Sequence, residues 1–342
     1  MSATTTTTTG RLTIDLLAAT DLDRMTALIG PWLIGPWSSR SDRVVAAEVV
    51  DQKQGRRALL RYRLAGPTGD RAENLLGKLY ADAAGAERVH DLMIRLDRDV
   101  FADTPGLGVP RALGWCADPP LVVYRPALGA GFDDPSASGA GDEGIQREAV
   151  VAAARWLARL HGSQLELDRR LDVDHEVVNA EEWAATITRV MPSLGTAAEA
   201  AVAALRSATT GLRVRTDVPI HKDFHHQHLV LGPDRLSVVD LDEARLGDAA
   251  LDVAHFVVYL QLRAIRSGAP ADGSPLARTF VDAYRAETGW AADERFAFFG
   301  RYTAVKIAKQ LAVGSGLRPR PAGPEAERQA RLVLERLGGA PS

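Results

Sequence analysis

The side chains most able to do chemistry crowd into one stretch, residues 219–256. It carries His221, Asp223, His225, His226 and His228, then Asp240, Asp242 and Glu243, then Asp248 and Asp252. Two short apolar runs, 229–231 and 236–239, flank the turn-forming sequence Gly232-Pro233-Asp234-Arg235 and predict a β-hairpin. A hairpin brings its ends together, so Asp223 before the first strand is expected near Asp240 after the second. Two converging carboxylates suit transfer from a polyphosphate. One orients an acceptor hydroxyl and takes its proton, while the other holds a divalent metal on the phosphates.

The remainder of the chain has to position that stretch. Its 342 residues allow one large or two ordinary domains, and 46% hydrophobic residues suffice for a sizeable core. The net charge of −3 argues against a nucleic-acid partner held by a basic surface. No apolar run is long enough to span a bilayer, so no membrane partner is expected. Residues 1–10, largely threonine, lack the basic and apolar regions of a signal peptide and predict a disordered leader. The single Cys116 excludes an internal disulfide and fits a reducing cytoplasm, the expected location.

In order, the repeated Ile-Gly-Pro-Trp at 29–32 and 34–37 breaks any helix and is expected to pack its tryptophans on the body. Residues 44–50 and 58–64 predict a strand pair around a basic loop carrying Lys53, Arg56 and Arg57. Residues 74–80 predict a third strand with Lys78 inside it. A lysine there is costly unless its ammonium meets an anion, or unless it guards a sheet edge. Val89, Leu92, Met93, Leu96 and Val100 recur at helical spacing over 84–101. A strand at 121–124 and a Gly/Ser/Asp-rich loop at 127–144 follow. Beyond them, helices are expected over 146–165, within 171–213 with a break at Met191-Pro192, and over 252–265, 280–288, 296–313 and 325–337.

His-Lys-Asp-Phe at 221–224, the hairpin, Val-Val-Asp-Leu-Asp-Glu at 238–243 and Gly-Asp-Ala-Ala-Leu-Asp at 247–252 together resemble the catalytic and metal loops of the aminoglycoside phosphotransferase family. That family shares the protein-kinase-like fold with choline and protein kinases. The resemblance spans roughly residues 44–262, and is most specific at 221–252. It implies a two-lobed α+β fold: a small lobe (residues 11–125) of antiparallel sheet plus one helix that binds nucleotide, and a large helical lobe (126–342) that carries catalysis and the acceptor. Asp223 matches the catalytic aspartate and Asp240 the metal-binding one. Asp242, on the same face if the strand continues, is a candidate second ligand or a solvated side chain. His221, Asp248 and Asp252 match structural positions that tie the catalytic loop to the helix below. Lys78 matches the lysine that contacts the α- and β-phosphates, Glu87 is the candidate helix partner of that lysine, with Asp91 as runner-up, and Val123-Tyr124 matches the hinge. His161 ends a helix whose terminus is similar to the family's, and is expected to cap its carbonyls.

One departure stands out. The family's second metal ligand is an asparagine five residues after the catalytic aspartate, and here that place is His228. Imidazole suits Mn²⁺ or Zn²⁺ better than Mg²⁺. Either His228 ligates, or Gln227 supplies an amide oxygen, or the second site is lost. A zinc site built of His221, His225, His226 and His228 is a rival of another class, against which the spacing speaks. The expectation is an ATP- or GTP-dependent kinase, using Mg²⁺ or Mn²⁺, that phosphorylates a hydroxyl of a small molecule such as an aminoglycoside, a sugar-like compound or an amino-alcohol. A peptide Ser/Thr kinase and a nucleotide-binding pseudokinase scaffold are the alternatives. For a cationic acceptor, Asp172, Asp174, Glu176, Glu181 and Glu182 are the candidate carboxylates. The sequence leaves the oligomeric state open.

Overall fold

The computed structural model describes residues 16–33, 42–53, 57–66, 72–134, 143–269, 274–314 and 323–336. The leader, the second Ile-Gly-Pro-Trp, and Gly55 and Arg56 of the basic loop lie outside them. The chain divides into two compact units, residues 1–102 with 109–128, and residues 103–108 with 129–342.

In the first unit, α1 (Leu22–Ile29) starts where Asp21 accepts a hydrogen bond from the Arg24 amide at 2.9 Å. The sheet holds β1 (Arg43–Lys53), β2 (Arg57–Ala65) and β3 (Ala72–Tyr80). A two-residue strand, β4 (Leu107–Gly108), belongs to the second unit; β5 (Ala112–Ala117) and β6 (Pro120–Tyr124) complete the first. The antiparallel order is β1-β2-β3-β6-β5. Period-two alternation sorts the faces. Leu60, Tyr62 and Leu64 of β2 and Leu75 and Leu79 of β3 turn into one core with Met25 and Ile29 of α1, while Arg61 and Arg63 turn outward. Gly77 sits in that core because a Cβ there would lie 2.4 Å from the Tyr62 ring. α2 (Ala83–Arg95), capped by Asp82 on the Gly85 amide, continues as a π-helical turn to Val100 and packs on β5 and β6. Trp32 packs against β5 at Gly114, as the sequence led us to expect of this tryptophan.

The second unit is mainly helical: α3 (Glu143–His161), α4 (Val173–Val190), α5 (Gly195–Thr209), α6 (Ala249–Arg266), α7 (Pro275–Thr288), α8 (Glu294–Val313) and α9 (Pro324–Arg336). Met191-Pro192 does break the chain between α4 and α5. α6 is apolar on nearly every side and is buried against α7 and α8, with Phe256 inaccessible to solvent. Small strands punctuate the helices: β7 (Ala130–Gly131), β8 (Val218–Ile220), β9 (Leu229–Leu231), β10 (Leu236–Val238) and β11 (Arg245–Gly247). They form a β4-β10-β9-β7 sheet and a β8-β11 ribbon. β7 lies in the stretch expected to be loop, drawn into register by β9. Among the described residues no helix is long and apolar enough to cross a membrane.

Candidate active site

The loop after β8 is held from below. β8 pairs with β11, fixing where the loop begins. Asp252, in the first turn of α6, accepts the His221 amide on Oδ2 at 2.6 Å and the Lys222 amide on Oδ1 at 2.7 Å. Lys222 has φ 68°, and this left-handed turn aims both amides at one carboxylate. His161 does not cap carbonyls. Backbone amides of Gly162 and Ser163 already satisfy the end of α3, and His161 instead places Nε2 3.2 Å from Asp252 and Nδ1 2.7 Å from the Tyr284 hydroxyl. His221, fully buried, donates through Nε2 to the Val239 carbonyl at 3.1 Å and accepts the Asp223 amide on Nδ1 at 3.3 Å. Asp248 caps α6 on the Ala250 amide, and its other oxygen accepts the Arg215 amide and faces Arg295.

These contacts present Asp223. Its Oδ1 takes the Lys306 ammonium of α8 at 2.6 Å and His255 Nε2 of α6 at 3.1 Å. Oδ2 has no hydrogen-bond partner among the described residues. His255 is tied at its other nitrogen to the Thr303 hydroxyl, 3.1 Å away. Burial alone would raise the Asp223 carboxyl, but Lys306 and His255 outweigh it and hold the group well below the usual carboxylate range. Burial would lower the Lys306 ammonium, and the attraction of Asp223 raises it instead. Burial, then Lys306, push His255 down to about 4. At neutral pH the trio is therefore carboxylate, ammonium and neutral imidazole.

The hairpin forms as its turn residues dictate, with the Gly232 amide on the Arg235 carbonyl at 2.9 Å. His228 links its two ends. Nδ1 lies 2.9 Å from the Asp223 backbone oxygen, and Nε2 lies 3.6 Å from Asp240 Oδ2. Because Nδ1 faces a carbonyl it carries the proton, and Nε2 presents a lone pair. Burial pushes this ring down to about 4, so at neutral pH the contact with Asp240 is not an ion pair. Gln227 is exposed, so it is His228 that reaches the Asp240 carboxylate.

Asp242 does not share a strand face with Asp240. Asp240 adopts φ 63° and residues 241–243 form a 3₁₀ turn, which ends the extended geometry on which the period-two expectation depended. Asp242 is buried, and Glu243 pairs with Arg245 at 2.7 Å. The four histidines do not converge either: His221 has both nitrogens committed, and His226 pairs with Asp133 at 3.0 Å. Nor do the acceptor carboxylates gather. Glu176 is buried on Lys222 at 2.6 Å and on the Tyr302 hydroxyl, Glu181 pairs with Arg206, and Asp172 caps α4.

In the first unit Lys78 lies on β3, the central strand, so edge protection does not explain it. It faces away from the Leu75/Leu79 core. Glu87 is exposed. α2 buries Gly85, Ala86, Val89, Leu92 and Met93, and at 100° per residue position 87 falls on the opposite side. Asp91 is also exposed, and contacts His90. Val123 and Tyr124 lie in the β6 ladders to β3 and β5. Lys306 and His255 were not anticipated, although a signal was present: each interrupts an apolar helical run, the same anomaly that marks Lys78.

An antiparallel-sheet unit followed by a helical unit, with an aspartate-bearing loop and a second aspartate joined by a hairpin, defines a protein-kinase-like phosphotransferase fold. The model of the phosphotransferase enzyme family, APH, matches residues 59–296, and the chain belongs to that family. It is thus a phosphotransferase with an alcohol group as acceptor. Solved structures that share the fold include the following three. An amicoumacin kinase in complex with AMP-PNP and Ca²⁺ is 15% identical, with TM-score 0.56, 94% of this chain and 96% of that chain covered. Choline kinase LicA from Streptococcus pneumoniae is 12% identical, with TM-score 0.53 and coverages of 94% and 99%. Aminoglycoside-3'-phosphotransferase of type VIII is 18% identical, with TM-score 0.50 and coverages of 83% and 97%. No curated protein matches the chain in sequence.

Proposed function

We propose that the chain transfers the γ-phosphoryl group of ATP or GTP to a hydroxyl of a small, weakly charged molecule. The observation that carries this reading is the state of Asp223. One oxygen is fixed by Lys306 and His255, and the other is open to accept a hydrogen bond from the acceptor. A carboxylate held so far down is a weak base. It therefore aligns the hydroxyl first and takes the proton late, once the new P–O bond has made that proton acidic. Lys306, beside it, offsets negative charge gathering on the transferred group.

Two acceptor atoms, Asp240 Oδ2 and His228 Nε2, face each other at 3.6 Å, and this donor set fits a divalent cation. When bound, such a cation supplies charge neutralisation on the phosphates. Lys78 in the first unit is the candidate contact to the α- and β-phosphates, and the backbone beside Val123 and Tyr124 the candidate contact to the base. The low charge of the acceptor follows from the carboxylates. Among the described residues, Glu176 and Glu181 are each matched by a cation and Asp172 caps α4, so of the five candidate carboxylates Asp174 and Glu182 alone stay exposed without an ion pair or a capping role, too few for a ring around a polycationic aminoglycoside.

Thermal-shift titration with ATP and GTP, each with Mg²⁺ or Mn²⁺, tests the nucleotide half of the reading. A ligand that binds only the native state raises the melting temperature. A metal-dependent rise that disappears in Asp240→Ala is expected. No rise with any pair at millimolar nucleotide would overturn it.

A further inference from the structure

Phosphoryl transfer makes no use of His225. The residue is buried, and neither of its ring nitrogens makes a hydrogen bond among the described residues. Its ring lies 3.8 Å from that of His228, centroid to centroid, and stacks on Tyr259 at 4.4 Å. An unpaired buried imidazole is costly, and coordination is one of the few ways to satisfy it. Two further donors stand beside it. His228 Nε2 presents its lone pair, fixed in that state by the Nδ1 hydrogen bond to the Asp223 carbonyl. Asp223 offers Oδ2, the oxygen that Lys306 and His255 leave open. One donor atom from each of Asp223, His225 and His228 lies within 4.8 Å of the other two.

We infer that Asp223, His225 and His228 form a binding site for a divalent transition metal of the Zn²⁺ or Co²⁺ class, with Asp240 at its rim. Two imidazoles and a carboxylate are a donor set that such ions favour and that Mg²⁺, which prefers oxygen, does not. A cation held by Asp240 and His228 alone would leave His225 without a partner, so the two positions share His228 and differ in whether His225 and Asp223 are engaged. Given the phosphotransferase reading, occupancy is inhibitory, because the ion takes the oxygen that the acceptor hydroxyl needs.

The test is a titration of the metal-free full chain with Co²⁺, followed by visible absorption, with no nucleotide present. One Co²⁺ per chain is expected, displaced by Zn²⁺ and not by millimolar Mg²⁺. His225→Ala and His228→Asn should each weaken binding at least about ten-fold, since even groups outside the ligand shell shift metal affinity by that much. Gln227→Ala, on the exposed neighbour, should leave it unchanged. If His228→Asn does not fold, judged by circular dichroism, His225→Gln carries the comparison. No saturable binding to the wild type, or equal binding in both histidine variants, overturns the inference. Because no nucleotide enters, failure of the phosphoryl-transfer reading leaves this result standing, and the reverse also holds.

Discussion

Lys306 Nζ lies 2.6 Å from Asp223 Oδ1, joining two residues 83 positions apart in the chain. The contact gives the aspartate a fixed orientation and an ionised state. Lys306→Met should lower phosphoryl transfer, read as nucleotide consumption with an accepted substrate, by about 10²-fold or more. Nucleotide affinity should stay within about three-fold, because the lysine acts beside the acceptor oxygen. An equal loss of affinity would instead move Lys306 onto the phosphates.

Stability should fall as pH drops from about 6.5 towards 4. His228 and His255 both titrate at about 4 when folded, against 6.5 when exposed. Between those values the unfolded chain binds protons that the folded chain refuses, so stability rises with pH through this window and is fully present above it. Each ring contributes up to about 3 kcal/mol. Urea unfolding from pH 4 to 8 measures the slope, and His255→Gln should flatten it. A wild-type profile that is level across the window contradicts the neutral, buried state of both rings.

Glu176 is nearly inaccessible, and its charge is met by Lys222 at 2.6 Å. Lys222→Ala strands that carboxylate and should cost about 3 kcal/mol. Adding Glu176→Gln should recover much of the loss. A double-mutant cycle by chemical denaturation reads the coupling, and additive effects would show the pair to be energetically independent.

Asp252→Asn should keep one of the two accepted amide bonds and lose the other, leaving a buried donor unpaired. A loss of about 1–3 kcal/mol is expected. Hydrogen exchange at the His221 and Lys222 amides should speed up in the variant, and unchanged protection there would show that the loop has another anchor.

Much of the site was legible because its chemistry is local. The Gly-Pro-Asp-Arg turn lies between two short apolar runs, so the hairpin and the approach of its two ends followed from neighbours in sequence. Asp242 was misplaced for a local reason too. The left-handed turn at Asp240 is one that an aspartate tolerates and that nothing nearby announces. Glu87 is different, since the phase of Val89, Leu92 and Met93 already put it on the outward side of α2. There a family expectation prevailed over the helical period. Lys306 and His255 could be seen as anomalies in apolar helices, but their shared partner could not, because only the packing of α6 and α8 against the loop brings them to Asp223.

Asp252, His255 and Tyr259 stand at spacings of three and four along α6, so they project from one stripe of the helix. The first holds the loop amides, the second orients the Asp223 carboxylate, and the third backs His225. The chemistry thus hangs on a single mount with a fixed phase. Deleting or inserting one residue within α6 would rotate whatever follows by about 100° and unseat these duties together. Variation that retunes the acceptor while sparing the reaction has to enter elsewhere, through segments that touch the loop only at its edge. α4 is such a segment, meeting the loop through Glu176 and Lys222.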